Sequence, residues 1–212
     1  MEELKKLDYD LDQLADAFDI QRVKTCDNLT DWIAADYELS ATEVEIINDL
    51  HDETVESGDY WNEEELKIEF VGIVFLVAKI KVKDKIKVYY ERSLSANING
   101  YRLAVIADCF VATPKKFSTP KNPYFFLQEF KKGKGEKNDP EAQMLTAMLI
   151  AQHKNQDNKP IYGGYLVGRS WVFTTLTGSD YCTSRIFDAS QKADLLHIVF
   201  ILRHLKSIIL NR

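Results

Sequence analysis

The spacing of hydrophobic residues divides the chain into helical and extended segments. In the first part, Ser40 and Glu43 form a capping box, which predicts a helix over residues 40–57. Asn62 is placed to cap a second helix. Between residues 66 and 77 the apolar positions recur every three or four residues, as on the buried face of a helix.

After Lys79 the period changes to two. Lysines alternate with valine and isoleucine over residues 81–88, which predicts a strand with a basic outer face. The Asn-Gly pair at residues 99–100 favours a tight turn, so this strand and a second one over residues 101–111 should form a hairpin. A loop rich in proline and lysine over residues 113–122 leads to a third strand, residues 124–131.

The last third of the chain continues this alternation of helices and strands. Asp139-Pro140 is typical of a helix start, because proline suits the first helical position. Two strands at residues 161–167 and 171–176 should form another hairpin, and a final helix should cover residues 190–210. The order predicts a mixed α/β (α+β) domain. Within this order, residues 1–58 are an acidic helical extension and residues 59–212 are the core. We expect the two parts to form one compact domain.

Composition agrees with one soluble domain. The 212 residues are 45% hydrophobic and 28% charged, enough to bury a sizeable core. The start is acidic and lacks the layout of a signal peptide, and the longest apolar run, residues 70–78, is too short to span a membrane. The three cysteines are scattered, and their odd number argues against a disulfide framework. We therefore expect a cytoplasmic protein in a reducing compartment, without membrane association.

Charge is distributed unevenly along the chain. Residues 1–70 carry 22 acidic and 5 basic side chains, whereas residues 71–212 carry 11 acidic and 22 basic ones. Such a split indicates a part that binds polyanions beside an acidic part. Two alternatives stay open: an ordinary solvated surface whose two parts attract each other, and an acidic segment, residues 1–57, that docks over the basic face and restrains it.

Three side chains on two predicted strands suggest a catalytic site. Glu129 and Lys131 are two residues apart and therefore share one face of the third strand. Asp108 lies in the preceding strand, inside the apolar run 104–112, where a buried carboxylate needs a partner or a metal. If these strands are neighbours, Asp108 and Glu129 converge.

Converging carboxylates suit a hard divalent cation such as Mg²⁺ or Mn²⁺, and the backbone carbonyl of Phe130 could add a third oxygen. Such a metal could activate water, which Lys131 would orient. The alternative is structural. Glu129 and Lys131 would then form a surface pair worth less than about 1 kcal/mol, and Asp108 would cap a turn.

Asp108 on one strand and Glu129-Phe130-Lys131 on the next resemble the active site of the PD-(D/E)xK nuclease superfamily. Ala107 precedes Asp108 where the motif's name has proline. The resemblance extends over residues 61–212, which are similar to uncharacterised bacterial members, and it implies a restriction-endonuclease-like core with a central mixed β-sheet flanked by helices. It also implies that Gln143, on the helix after the third strand, and Glu63, on the helix before the first, take part in catalysis.

The implied function is hydrolysis of phosphodiester bonds in nucleic acid, with DNA as the expected substrate and Mg²⁺ or Mn²⁺ as cofactor. Lysines flank the site in sequence and could bind phosphates without reading sequence, namely Lys115, Lys116, Lys121, Lys132 and Lys134. A solvated loop would explain the same lysines. The alternative function is that of a catalytically inactive member of the fold, which binds nucleic acid or a protein partner.

Overall fold

The computed structural model describes residues 4–7, 9–131 and 139–212. The helical segments are α1 (Leu11–Phe18), α2 (Asp27–Ile33), α3 (Ala41–Ser57), α4 (Glu63–Glu65), a π-helical turn (Leu66–Val71), α5 (Gly72–Val77), α6 (Pro140–Asn155) and α7 (Lys192–Leu210). The strands are β1 (Lys5–Lys6), β2 (Gln21–Arg22), β3 (Lys87–Ile98), β4 (Tyr101–Pro114), β5 (Pro120–Lys131), β6 (Ile161–Val167), β7 (Ser170–Thr177), β8 (Asp180–Thr183) and β9 (Phe187–Asp188). The predicted mixed α/β class is confirmed.

Local sequence signals explain where the helices begin. The capping box of α3 is present: Glu43 Oε2 accepts the Ser40 N–H at 2.8 Å, and Ser40 Oγ accepts the Glu43 N–H at 3.4 Å. Asn62 caps α4 through its side-chain oxygen, and Asp139 caps α6 in the same way, with proline at the first helical position.

The predicted start of the first long strand is wrong. Residues 81–86 form a tight turn, closed by backbone hydrogen bonds of 2.8 and 3.0 Å between Val82 and Ile86. Asp84 turns the chain with a φ of 61°. The alternation of lysine with apolar residues therefore covers the turn first, and the strand itself, β3, begins only at Lys87.

The strands form a single mixed sheet. Its order is β1-β4-β5-β6-β7-β8-β2, with β3 paired to β4 and β9 paired to β7. β3, β4 and β5 are successive antiparallel neighbours, whereas β5 and β6 run parallel and are connected through α6. This topology places the two strands that carry Asp108 and Glu129 side by side.

Helices cover both faces of the sheet. One core cluster joins it to α2, α3, α5 and α7, and a second joins it to α1 and α6. The described part of residues 1–58 belongs to the same two layers, since Trp32 is fully buried in the first cluster and Leu14 in the second. The Trp32 indole N–H donates to the carbonyl of Ile201 in α7 at 2.9 Å.

Two further findings concern the cysteines and the membrane. The sulfur atoms of Cys26 and Cys182 are bonded to each other, whereas Cys109 is a buried free thiol. The sequence predicted no disulfide, and a separation of 156 residues leaves no local sign of this pair. In the described part of the chain, no helix has the length and apolarity needed to cross a membrane.

Candidate metal-binding site

Three carboxyl side chains occupy neighbouring positions across β3, β4 and β5. The residue pairs on either side of Glu91 and Asp108 are in register, so these two residues lie opposite each other. Cys109 pairs with Gln128, and the next step in that register places Asp108 opposite Glu129. Because adjacent strands are about 4.8 Å apart, this row concentrates negative charge at one place in the sheet.

The row coincides with a change in side-chain alternation. Tyr89 and Leu94 belong to the same core cluster although they are five residues apart, and so do Val105 and Phe110. A regular strand returns to one face after an even number of residues, so both strands change phase between these positions. Glu91 lies within this interval and has a φ of 49°, a left-handed conformation that is uncommon for residues other than glycine.

Asp108 is held in place by the backbone of the next strand. Its side chain is buried, and its Oδ2 accepts the Phe130 N–H at 2.7 Å. Burial raises the pKa of Asp108 above its usual value, although the Phe130 N–H and the charge of Lys67 oppose this shift. The carboxylate is thus fixed in position but only partly compensated in charge.

Glu129 is the most deeply buried acid of the row, with 1% of its surface exposed. Burial raises the pKa of Glu129 well above its usual value, and the neighbouring charge of Asp108 raises it further. A side-chain hydrogen bond joins the two acids. No described residue forms a hydrogen bond with Glu129 Oε1, which is shielded from solvent, so this oxygen is available as a candidate ligand.

Two acids of the row, Glu91 and Asp108, also form a triad with Glu63. Glu63, Glu91 and Asp108 each present a carboxylate oxygen, and these oxygens lie within 4.8 Å of one another, a spacing that can hold a metal ion. The ammonium of Lys67 projects from the π-helical turn into this triad. It lies 3.0 Å from Glu63, 2.5 Å from Glu91 and 3.9 Å from Asp108.

Lys67 is strongly held by these acids. Burial lowers the pKa of Lys67, but hydrogen bonds to Glu91 and Glu63 and the charge of Asp108 outweigh it, and the net effect is a raised pKa. Its side chain is 9% exposed. The ammonium therefore stays charged and neutralises part of the triad.

The resulting carboxylate cluster contains four acids and two lysines, namely Glu63, Glu91, Asp108, Glu129, Lys67 and Lys131. Glu64, whose carboxylate lies 3.5 Å from the Lys67 ammonium, is a further acid on the exposed side of this cluster. The acids therefore outnumber the lysines, which favours a bound cation. The donor set is made of carboxylate oxygens, which hard cations prefer.

The structure brings together four of the five predicted catalytic side chains. Asp108 and Glu129 are neighbours, and the charges of Lys131 and Glu63 act on both of them. Lys131 is buried, with 9% of its surface exposed. Gln143 is also buried, in α6. Within the described part of the chain its Oε1 has no hydrogen-bond partner, and no contact links it to the carboxylate cluster.

The remaining predicted site residues have different outcomes. Phe130 enters the site through its N–H group, and its carbonyl as a metal ligand stays a prediction. Lys115, Lys116 and Lys121 are exposed at the β4–β5 loop and the start of β5. Lys132 and Lys134 lie outside the described residues.

Sequence reasoning missed Lys67 and Glu91. Lys67 follows Glu63 by four residues and Glu64 by three, a spacing that predicts ion pairs on a helix and could have drawn attention to it. Glu91 had no comparable signal. Its contribution depends on a backbone conformation that sequence does not reveal, and on pairing with β4.

No protein-family model matches the chain, and no curated protein matches it.

Proposed function

We propose that the protein is a metal-dependent nuclease that hydrolyses phosphodiester bonds of nucleic acid, with DNA as the expected substrate. The observation that carries this proposal is the row of Glu91, Asp108 and Glu129 on adjacent strands, in which Asp108 and Glu129 are buried and Glu91 is exposed, with the buried Lys131 beside it. The order of elements supports the resemblance to the PD-(D/E)xK superfamily. A helix with Glu63 precedes the three antiparallel strands, and α6 follows them.

The acids would hold the metal, expected to be Mg²⁺ or Mn²⁺. Glu63, Glu91 and Asp108 have the spacing of ligands, and the unpaired Oε1 of Glu129 offers a further oxygen. A bound divalent cation neutralises phosphate charge and activates water. The Phe130 N–H fixes the orientation of Asp108, so this ligand needs little reorganisation.

Lys131 and Glu129 have further roles in this proposal. Lys131 carries a positive charge that can stabilise negative charge developing on a phosphoryl oxygen. Glu129 has a raised pKa and retains a proton to higher pH than an ordinary glutamate. It can therefore release that proton when a cation enters, or pass it to a reacting group held next to it.

Lys67 favours a second candidate function. Its ammonium already lies within the acidic triad and compensates part of its charge. A protein in which this contact is permanent would keep the fold without the metal, and would act as a binding module for nucleic acid or a protein partner. Metal binding distinguishes the two candidates.

The test combines metal binding with cleavage. Calorimetric titration with Mn²⁺ should show binding to the wild type that is lost in Asp108→Asn. Labelled single-stranded, double-stranded and branched DNA, and RNA, should then be incubated with Mg²⁺ or Mn²⁺. We expect cleavage that stops with EDTA and falls at least about 100-fold in Asp108→Asn and Lys131→Met.

Glu53→Gln is the matched control, because Glu53 is an exposed acid on α3. It should bind Mn²⁺ and cleave like the wild type. Cleavage that survives both Asp108→Asn and Lys131→Met would contradict the proposal. Binding of nucleic acid without Mn²⁺ binding or cleavage would favour the inactive module.

A further inference from the structure

A basic cleft lies at one end of the β3–β4 hairpin. It is a cavity of about 530 Å³ between the turn of residues 81–86, with the start of β3, and the β4–β5 loop. Its lining contains one acidic residue, Asp84, and five lysines: Lys81, Lys83, Lys87, Lys115 and Lys116. A concave surface with this charge fits an anionic ligand that presents several phosphates.

Backbone hydrogen bonds hold the conformation of the two loops that form the cleft. On one side, Val82 and Ile86 bond to each other in both directions. On the other, the Lys115 N–H donates to the Thr119 carbonyl at 2.7 Å, and the Ser118 N–H donates to the Lys115 carbonyl at 2.8 Å. The cleft therefore has its shape before a ligand arrives, which reduces the entropy lost on binding.

An exposed aromatic residue lies in the sequence between two residues that line this cleft. Phe117 is 87% exposed and sits between Lys116 and Ser118 in the β4–β5 loop. The ring of an unpaired base can stack on such a side chain, whereas bases inside a duplex are already stacked on each other. A basic groove together with an exposed aromatic side chain is the combination that binds single strands without reading their sequence.

β3 contributes residues to both the cleft and the carboxylate cluster. Lys87 lines the cleft and Glu91 belongs to the cluster, four residues further along β3. At about 3.3 Å per residue this separation is about 13 Å. A stacked strand with a rise of 3.4 Å would cover it with about four nucleotides.

We propose that the cleft binds the sugar–phosphate backbone of single-stranded nucleic acid, with Phe117 stacked on a base, and guides the strand to the carboxylate cluster. The proposal rests on the nuclease function for the role of the cluster, but binding can be measured separately. An exposed phenylalanine among lysines would also suit an anionic membrane surface. The concave shape of the cleft and its distance of about 13 Å from the acids along β3 favour the nucleic acid.

The experiment measures binding without cleavage. Anisotropy of a fluorescent 20-nucleotide single strand and of the matched duplex should be recorded in EDTA, with the full chain, at several salt concentrations. The variants are Lys83→Ala/Lys116→Ala and Phe117→Ala. Lys24→Ala/Lys192→Ala is the control, since it removes the same charge from exposed positions outside the cleft.

We expect the cleft double variant to bind the single strand at least about tenfold more weakly. The slope of the logarithm of the binding constant against the logarithm of the salt concentration should become shallower by about 1.4. Each of the two lost phosphate contacts on a single strand contributes about 0.7 to this slope. Phe117→Ala should weaken single-strand binding roughly 5- to 100-fold with little change in slope. The control should stay within about twofold of the wild type.

Equal affinity of the cleft variant and the control would overturn the proposal, and so would a preference for duplex. Binding to phosphatidylserine vesicles that depends on Phe117, with unchanged binding to the oligonucleotide, would assign the surface to a membrane instead. Loss of binding in the cleft variant without any cleavage by the wild type would remove the nuclease function but keep the cleft. Cleavage by the wild type, together with unchanged single-strand affinity of the cleft variant, would keep the nuclease function and remove the role of the cleft. Urea unfolding midpoints establish that each variant is folded.

Discussion

Replacing Glu129 with glutamine should stabilise the metal-free protein at neutral and alkaline pH. Glu129 is 1% exposed, and burial beside Asp108 raises its pKa above the ordinary value of 4.5. At a pH between the ordinary pKa of 4.5, which applies to the unfolded chain, and the raised pKa of the folded protein, the folded protein keeps a proton that the unfolded chain has released. Stability therefore falls as the pH rises through this window, by at most about 1.4 kcal/mol per pH unit.

The glutamine variant lacks this titration. Its amide N–H can donate to the Asp108 carboxylate, as the protonated acid does, so the contact between the two strands is kept. We expect its free energy of unfolding at pH 8 in EDTA to exceed that of the wild type by about 1–3 kcal/mol, the range for a buried polar group without a partner. This corresponds to a higher melting temperature by about 2–4 °C per kcal/mol.

Urea unfolding followed by tryptophan fluorescence measures this difference, because Trp32, Trp61 and Trp171 are all buried. The gain should disappear at about pH 3, below the ordinary pKa value of 4.5, where the glutamate is protonated in both states. Acids whose pKa is lowered by folding, such as Glu43, act below this window and cancel in the comparison. Glu53→Gln, at an exposed position, should match the wild type at every pH. Equal stability of Glu129→Gln and the wild type at both pH values would refute the reasoning, since it would mean that Glu129 ionises without penalty.

Three further predictions concern the surroundings of the site. Lys67→Met should bind Mn²⁺ at least about tenfold more tightly in calorimetry, because the ammonium competes with a metal for the same oxygens; weaker binding would contradict this competition. Ser40→Ala should lower the free energy of unfolding by about 1 kcal/mol in urea, through loss of the α3 cap, and Ser40→Asp should keep most of it. Gly163→Ala should destabilise by about 1–3 kcal/mol by thermal unfolding, because the added carbon would lie 2.9 Å from both Met144 Sδ and Thr174 Oγ1; an unchanged melting temperature would show that these side chains move aside freely.

Much of the fold follows from local patterns. The caps at Ser40, Asn62 and Asp139 and the turn at Asn99-Gly100 are short-range signals, and the elements they predict are present. Alternation was less secure at residues 81–86, because a tight turn and a strand can share a period of two over so few residues. The two-residue strands at Gln21–Arg22 and Phe187–Asp188 depend on pairing with distant segments, which local sequence does not encode.

The site was predictable to the extent that it depends on strand alternation. Asp108 lay in an apolar run, and Glu129 and Lys131 shared a face, so neighbouring strands were enough to bring them together. Glu91 and Lys67 were not predictable in the same way. Glu91 requires a left-handed backbone at one residue, and Lys67 reaches it from the π-helical turn, 24 positions away.

The conformation of Glu91 also affects how the molecule avoids self-association. Among the described strands, β3 pairs only with β4, so its other side is a free edge twelve residues long. Long regular edges are templates for pairing with a second chain, and natural proteins interrupt them with kinks and charges. Glu91 supplies both, with Arg92 next to it and Lys67 bonded across it. One residue thus contributes to the acidic triad and interrupts the regular edge of the sheet, two demands that limit which side chains this position can accept.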